Sequence, residues 1–320
     1  MMGLHHALSP AGPQAAQIAW LWWFTLALCV VVGAAVLIAF AWAIRKAPRS
    51  QGREVDIGAE PSSHRRARIA VTSGIAISAL GLVSLIVASV HTDRALARLP
   101  LQGAVNIEVV AHQWWWQVNY KFGEPSLEFS TANEMVIPVG RPVVVTLKSD
   151  DVIHSFWVPN LGGKKDLIPG RTSTLALRAD QAGKYRGQCA EFCGLQHAWM
   201  AFVVNAVPEA EYSRWQQAQR APAAEPADAR QKRGRDLFLS GSCMMCHAIQ
   251  GTPANARKAP DLTHVASRES LAAGRMPNNP DNLRQWISEP QKWKPGVNMP
   301  SHNLPPDDLE ALVAYVGSLK

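Results

Sequence analysis

No Asp, Glu, Lys or Arg occurs before Arg45. The stretch therefore lacks the basic n-region of a secretory leader, and residues 18–44, apolar apart from Thr25, run too long for a leader's apolar core. They read as a retained helix able to cross a hydrocarbon layer of about 30 Å. Cysteine is scarce too. Five occur in 320 residues, and four of them form two tight clusters, Cys189 with Cys193 and Cys243 with Cys246, while Cys29 lies in the apolar run. That spacing excludes a disulfide framework and points to cofactor ligands. Basic residues outnumber acidic ones, 32 to 25, but they are scattered and build no nucleic-acid motif, so no nucleic-acid partner is expected. With 48% hydrophobic residues the chain is not disordered, and its length allows two or three domains.

Residues 69–90 form a second uncharged run, with Ser73, Gly74, Ser78, Gly81 and Ser84 spaced for close helix contacts. Trp20, Trp22 and Trp23 near one end of the first run and Trp42 near the other suit interfacial belts. The connection carries Arg45, Lys46, Arg49, Arg53, Arg65, Arg66 and Arg68, which the positive-inside rule assigns to the cytoplasm. The expectation is a two-helix transmembrane hairpin over residues 1–92, with helices about 18–44 and 69–91, a cytoplasmic loop 45–68, and everything from Asp93 outside. A buried helical hairpin in a soluble protein is the competing reading, and two charge-free runs of this length count against it.

From Val105 the pattern changes to short β-rich runs beginning at Val105, Val143, Thr172 and Ala201, separated by Gly- and Pro-containing turns. This predicts an all-β sandwich or barrel over residues 93–208. Residues 209–219 suit one short helix, and 218–229, rich in Ala and Pro, a semi-rigid linker, so that 209–229 join the modules. Residues 230–320 have helical periodicity at 234–239 and 306–319 and a Pro-rich middle, an all-α pattern. They hold 12 basic against 8 acidic residues, and residues 105–207 hold 9 of each, so charge steering between the two is modest. A tether also raises the effective concentration of one module at the other, so docking need not be tight.

The densest chemistry lies in one loop: Cys189, Cys193, His197 and Met200, at spacings of four, four and three. Two thiolates, an imidazole and a thioether suit copper better than magnesium or calcium. His154, in the run Asp150-Asp151-Val152-Ile153-His154-Ser155, offers a second imidazole. With two bridging thiolates the set can hold two metals, each completed by one imidazole and one weaker donor. A disulfide or a structural zinc accounts for the thiols but not for Met200.

On these motifs the chain resembles subunit II of the haem–copper cytochrome c oxidases. The resemblance implies a cupredoxin-like domain holding a binuclear copper A centre. Cys189 and Cys193 would bridge the coppers, His154 and His197 would each bind one, Met200 would be a weak ligand, and Glu191 would bind through its carbonyl. The Glu191 side chain would reach a magnesium shared with subunit I. The run His112-Gln113-Trp114-Trp115-Trp116 matches the family's aromatic cluster, which makes Trp114 the electron entry point, with core packing the expectation for Trp115 and Trp116. One departure stands out. Where many relatives open the second helix with a proton-guiding Glu, residues 62–72 contain no carboxylate; His64 or the earlier Glu60 are the substitutes at hand.

Cys243, Cys246 and His247 form a c-type haem attachment motif. A thioredoxin-like pair is the alternative, but no βαβ pattern surrounds it. By spacing, Met276 and Met299 both suit the sixth position. Similarity of the Asn298-Met299-Pro300 run and final helix to class I cytochromes c selects Met299, leaving His264 and His302 as expected solvent-exposed bystanders.

The resemblance therefore implies the electron-input subunit of a respiratory oxidase of bacterial type. It would be a two-pass protein of the inner (cell) membrane with its copper and haem modules on the periplasmic face. Electrons would pass from a c-type cytochrome or upstream complex through haem c and copper A to haem in subunit I, where oxygen is reduced and protons are pumped. Subunit I, subunit III and lipid would be the partners. A copper-delivery protein and the copper A subunit of a nitric oxide reductase are the alternatives.

Overall fold

The computed structural model of the chain describes residues 5–46 and 61–320. The chain divides into two compact units, one spanning Ala16–Arg98 and the other combining the segment up to Ala15 with Leu99–Lys320. Glu60 and the side chain of His64, the substitutes for the helix-two carboxylate, lie outside the described residues.

Two helices make up the first unit, α1 (Pro13–Lys46) and α2 (Pro61–Leu96). Proline suits each start, since its fixed φ fits the first turn and the missing N–H has no helical partner there. Both helices outrun the predicted apolar stretches, because the Ala, Arg and Leu residues beyond them continue a helix at little cost. At 34 and 36 residues they are about 51 and 54 Å long, more than the roughly 30 Å a bilayer core requires. Their apolar side chains point outward: Val31 is 65% exposed and Leu80 70%. A soluble protein does not leave so continuous an apolar surface to water, so the buried-hairpin alternative fails. Ala19 and Ala88 are buried, and the Trp20 ring meets His91 edge-on at 6.3 Å.

The second unit contains a β-sandwich. Its strands are β1 (Val105–His112), β2 (Trp115–Lys121), β3 (Phe129–Ala132), β4 (Glu134–Pro138), β5 (Val143–Ser149), β6 (His154–Trp157), β7 (Lys165–Leu167), β8 (Ser173–Leu177), β9 (Gly183–Cys189) and β10 (Ala201–Val207). One sheet has the order β3-β2-β1-β5-β8 and the other β4-β10-β9-β6-β7. Alternation along β1 sends Val105, Ile107, Val109 and Ala111 into the core between them. The segment before α1 is tied to this sandwich. Ala11 N–H donates to Asn160 O at 2.8 Å, and the Asn160 amide donates to His6 O and Ser9 O at 3.0 and 2.8 Å.

A short helix, α3 (Glu209–Gln219), closes the sandwich by placing Trp215 against Tyr120 and Phe129. The last module contains α4 (Ala229–Ser240), the strand pair β11 (Ser270–Leu271) and β12 (Met276–Pro277), α5 (Pro280–Ser288), α6 (Pro290–Trp293) and α7 (Pro306–Val316). Asp228 caps α4 by accepting from Gln231 N–H, and Asn279 caps α5 in the same way. Gly234 lets α4 cross α7: a Cβ there would lie 2.0 Å from Ala311 O. The connecting segment is stitched to both modules. Arg220 Nε donates to Leu127 O at 3.0 Å, and Ala223 N–H donates to Gln250 O at 3.0 Å.

Candidate metal and haem centres

The connection from β9 to β10 carries the cysteine loop. Its base is closed by a hydrogen bond from Cys189 N–H to Met200 O at 3.0 Å. Pairing of Phe156 with Cys189 brings β6 alongside, and Ala190 N–H donates to Ser155 O at 2.9 Å. His154, the first residue of β6, thereby reaches the loop from 35 residues upstream. Gly194, at φ 109°, reverses the chain so that His197 and Met200 return toward Cys193.

The donors converge. Cys189 and Cys193 Sγ are 3.7 Å apart, His154 Nδ1 is 3.8 Å from Cys189 Sγ, and His197 Nδ1 is 3.6 Å from Cys193 Sγ. Met200 Sδ lies 3.8 Å from Cys193 Sγ, and the Glu191 carbonyl 3.2 Å from Cys189 Sγ. All the cysteines are free. His154, Cys189, Cys193 and Met200 are buried, His197 is half-buried and the Glu191 side chain is exposed. The two thiols compete for one proton: the sulfur hydrogen bond from Cys193 holds Cys189 low, and that same thiolate pushes Cys193 far up. A bound metal would displace the shared proton. Two thiolates, two imidazoles, a thioether and a carbonyl fit a pair of soft or borderline ions such as copper, and exceed the four donors of a structural zinc.

Residues outside this set orient it. His154 Nε2 is 2.7 Å from Asp151 Oδ1, which leaves Nδ1 for the sulfur side. Burial works against the charge on Asp151, yet hydrogen bonds from His154, Val152 N–H and Gln113 N–H hold its carboxyl below the usual range. Burial also works against the charge on His154, yet its hydrogen bonds and charge interactions with Asp151 and Cys189 together raise that imidazole. The indole of Trp114 and the amide of Gln113 both donate to Cys193 O, at 2.9 and 2.8 Å. The Trp116 indole donates to Met200 O at 3.3 Å and its ring is fully buried. Trp115, half-buried, stacks on His112 at 4.5 Å. Trp114 is only 7% exposed, since Gly296 of the last module runs along its ring.

In that module Cys243, half-buried, and Cys246, exposed, lie on one turn after α4, and His247 follows. His247 Nδ1 is 2.7 Å from Pro260 O, so Nε2 is the nitrogen left for iron. Burial lowers the His247 imidazole, favouring the neutral form that ligates. Met276 is packed in the apolar core of the module, whereas Met299 is half-buried on a loop whose carbonyl accepts from Gln291. The exposed bystander expected at His264 is corrected. His264 is buried and its Nε2 is 3.1 Å from Ala221 O, because the connecting segment folds over it. His302 is half-buried.

Two family models match, the periplasmic domain of cytochrome c oxidase subunit II over residues 122–207 and cytochrome c over residues 231–320. Residues 122–207 belong to the family of cytochrome c oxidase subunit II periplasmic domains, and residues 231–320 to the cytochrome c family. Cytochrome c oxidase subunit 2 of Alkalihalophilus pseudofirmus is 42% identical over 217 residues, covering 68% of this chain and 61% of the relative. The subunit 2 of Bacillus sp. strain PS3 is 34% identical over 231 residues, covering 68% and 63%. The chain thus spans a little over three-fifths of the length of the curated relatives it matches. The solved periplasmic domain of the Bradyrhizobium japonicum subunit II is 30% identical, covering 36% of this chain and 93% of that one, with a TM-score of 0.34.

Within this chain, sequence reasoning passed over Asp151, Gln113 and Pro260. Asp151 was legible in principle, three residues before an imidazole at the start of a strand. Gln113 and Pro260 act through backbone carbonyls, which carry no sequence signature.

Proposed function

We propose that the chain is the electron-input subunit of a respiratory terminal oxidase, an oxidoreductase and translocase, set between a c-type cytochrome donor and subunit I, where oxygen is reduced and protons are pumped. The observation that carries this is the convergence of Cys189, Cys193, His154, His197, Met200 and the Glu191 carbonyl on one point, on a chain that also carries the Cys243-Cys246-His247 turn. In this reading those six donors hold two coppers, and Cys243, Cys246, His247 and Met299 hold haem c. Once bound, these groups supply one-electron redox chemistry.

The chain's own residues keep that chemistry in place. Buried His154, Cys189 and Met200 cannot follow a change of charge by large movement, and Asp151 and Trp116 fix the imidazole and the Met200 carbonyl. Trp114, bonded to the Cys193 carbonyl, is the entry residue. Exposed Val152, Ile153, Phe192 and Leu195 offer an apolar surface at the loop suited to subunit I, with the Glu191 carboxylate free to take magnesium there. Subunit III is a further partner. The segment before α1 is bonded to the sandwich that follows α2. This supports a two-pass topology in a bacterial inner membrane with both on the periplasmic side and Arg65, Arg66 and Arg68 toward the cytoplasm.

The purified complex should consume oxygen and carry two coppers per subunit II. Activity on nitric oxide in place of oxygen would identify a nitric oxide reductase, and a single labile copper a delivery protein.

A further inference from the structure

Lys294 is 2% exposed. Its ammonium donates to three backbone carbonyls, Trp114 O at 2.7 Å, Trp199 O at 3.0 Å and Ala272 O at 3.3 Å. An ammonium has three N–H groups, so each finds an acceptor. Among the described residues no carboxylate lies within ion-pair distance of it. Two of the acceptors flank the sulfur cluster: Trp114 bonds the Cys193 carbonyl, and Trp199 precedes Met200. The third lies in the turn between β11 and β12 of the haem module. Burying a lysine is costly, and desolvation pushes this one down to about 7. A side chain placed there at such cost is unlike the scattered ion pairs of a solvated surface.

Lys294 also stands five residues before Met299. Between them, Pro295 O accepts from Gln196 Nε2 at 2.9 Å. A Cβ at Gly296 would come within 3.3 Å of Leu195 and 3.5 Å of the Trp114 ring. The loop that carries the assigned haem ligand is therefore the one laid along the electron entry residue. Other contacts surround it. Arg275 lies 3.9 Å over the Trp199 ring, Ala201 N–H donates to Ala273 O at 3.3 Å, and Glu269 N–H donates to Glu134 at 2.8 Å.

We propose that Lys294 is a positioning residue that latches the haem module onto the copper loop, holding the Met299 segment against Trp114. The inference rests on the function proposed above. It also means that a separate donor protein cannot reach Trp114 while the latch is closed, so such a donor must address the haem module.

The test is hydrogen exchange on the full, cofactor-loaded chain, comparing it with Lys294→Met and Lys294→Gln. Protection of the Ala201 and Glu269 amides, whose acceptors lie across the interface, should fall about tenfold to a hundredfold in Lys294→Met, the equivalent of one to two charged hydrogen bonds. Lys294→Gln, which keeps two donors, should fall less. Amides of β1 and β5 and of α4 and α7 should keep their protection, and copper reduction after flash reduction of the haem should slow by a similar factor. Unchanged protection at Ala201 and Glu269 in Lys294→Met would overturn the latch, as would a loss spread equally over α4 and α7. If flash reduction of the haem in the unsubstituted chain is not followed by copper reduction, the proposed function fails, and the exchange result still judges the latch.

Discussion

Replacing Asp151 with alanine removes the carboxylate that fixes His154 and touches no sulfur. The His154 ring is fully buried, and its Nε2, 2.7 Å from Asp151 Oδ1, would exchange a fixed, charged acceptor for mobile water in the space the carboxylate vacates. The ring would then lose both its tautomer preference and the restraint on its rotation, and Nδ1 would no longer be held toward Cys189. Loss of an outer-shell partner of this kind costs about tenfold to a hundredfold in metal affinity, or about 1.4–2.7 kcal/mol. The effect should fall on the copper completed by His154 and spare the one completed by His197. The Asp151 side chain is 29% exposed, so the Val152 and Gln113 amides that it accepts from at 2.6 and 2.5 Å can turn to water. The folding cost should accordingly stay near about 1 kcal/mol. Stepwise copper titration against a competing chelator, followed optically and by paramagnetic resonance, should show one weakened step and one unchanged step. Asp151→Asn should fall between the two. If Asp151→Ala binds both coppers as tightly as the parent with the same spectrum, the assignment of Asp151 as the orienting group is refuted.

The two methionines of the haem module separate cleanly. Met299→Ala should remove the sixth ligand and lower the haem potential with little change in folding. Met276→Ala, emptying a core position that is 4% exposed, should cost about 2–5 kcal/mol and leave the potential in place; redox titration and thermal melting read the two effects. Gly234→Ala gains about 1 kcal/mol in helix propensity, but its Cβ would lie 2.0 Å from Ala311 O and 2.7 Å from Tyr315 Cβ. Separating α4 from α7 should cost more than that gain, about 1–3 kcal/mol. The melting point of the haem module, read from its Soret band, should drop by several degrees, roughly 4–8 °C for each net kcal/mol; a rise would refute the close crossing.

Much of the site was legible because its chemistry sits in side chains of unusual type at short spacing. Cys189, Cys193, His197 and Met200 span one strand connection, and a Cys-x2-Cys-His turn has few other uses. His154 was reachable because its sequence run carried the resemblance, although only the pairing of β6 with β9 explains why it arrives. The β-rich runs beginning at Val105, Val143, Thr172 and Ala201 were visible through their β-branched residues. β2, β3, β4, β7 and β9 were not: β3, β4 and β7 are only four, five and three residues long, and in β2 and β9 the polar residues Gln117, Asn119, Lys184 and Arg186 alternate with few β-branched ones. The packing of the haem module over Trp114 was illegible for a different reason. It is written in carbonyls of Trp114, Trp199, Ala272 and Pro295, and in the absence of a side chain at Gly296, none of which a sequence pattern records. The proline-rich connection suggested a tether, yet Arg220 and Ala223 fasten it to Leu127 and Gln250.

In the proposed function Cys189 and Cys193 jointly hold two coppers that share one unpaired electron. Metal analysis combined with paramagnetic resonance of the oxidised, purified protein tests it most directly. Two coppers per chain should be found, with a hyperfine pattern of one electron spread equally over both nuclei that is lost in Cys193→Ser. One copper per chain with a single-nucleus pattern would contradict it.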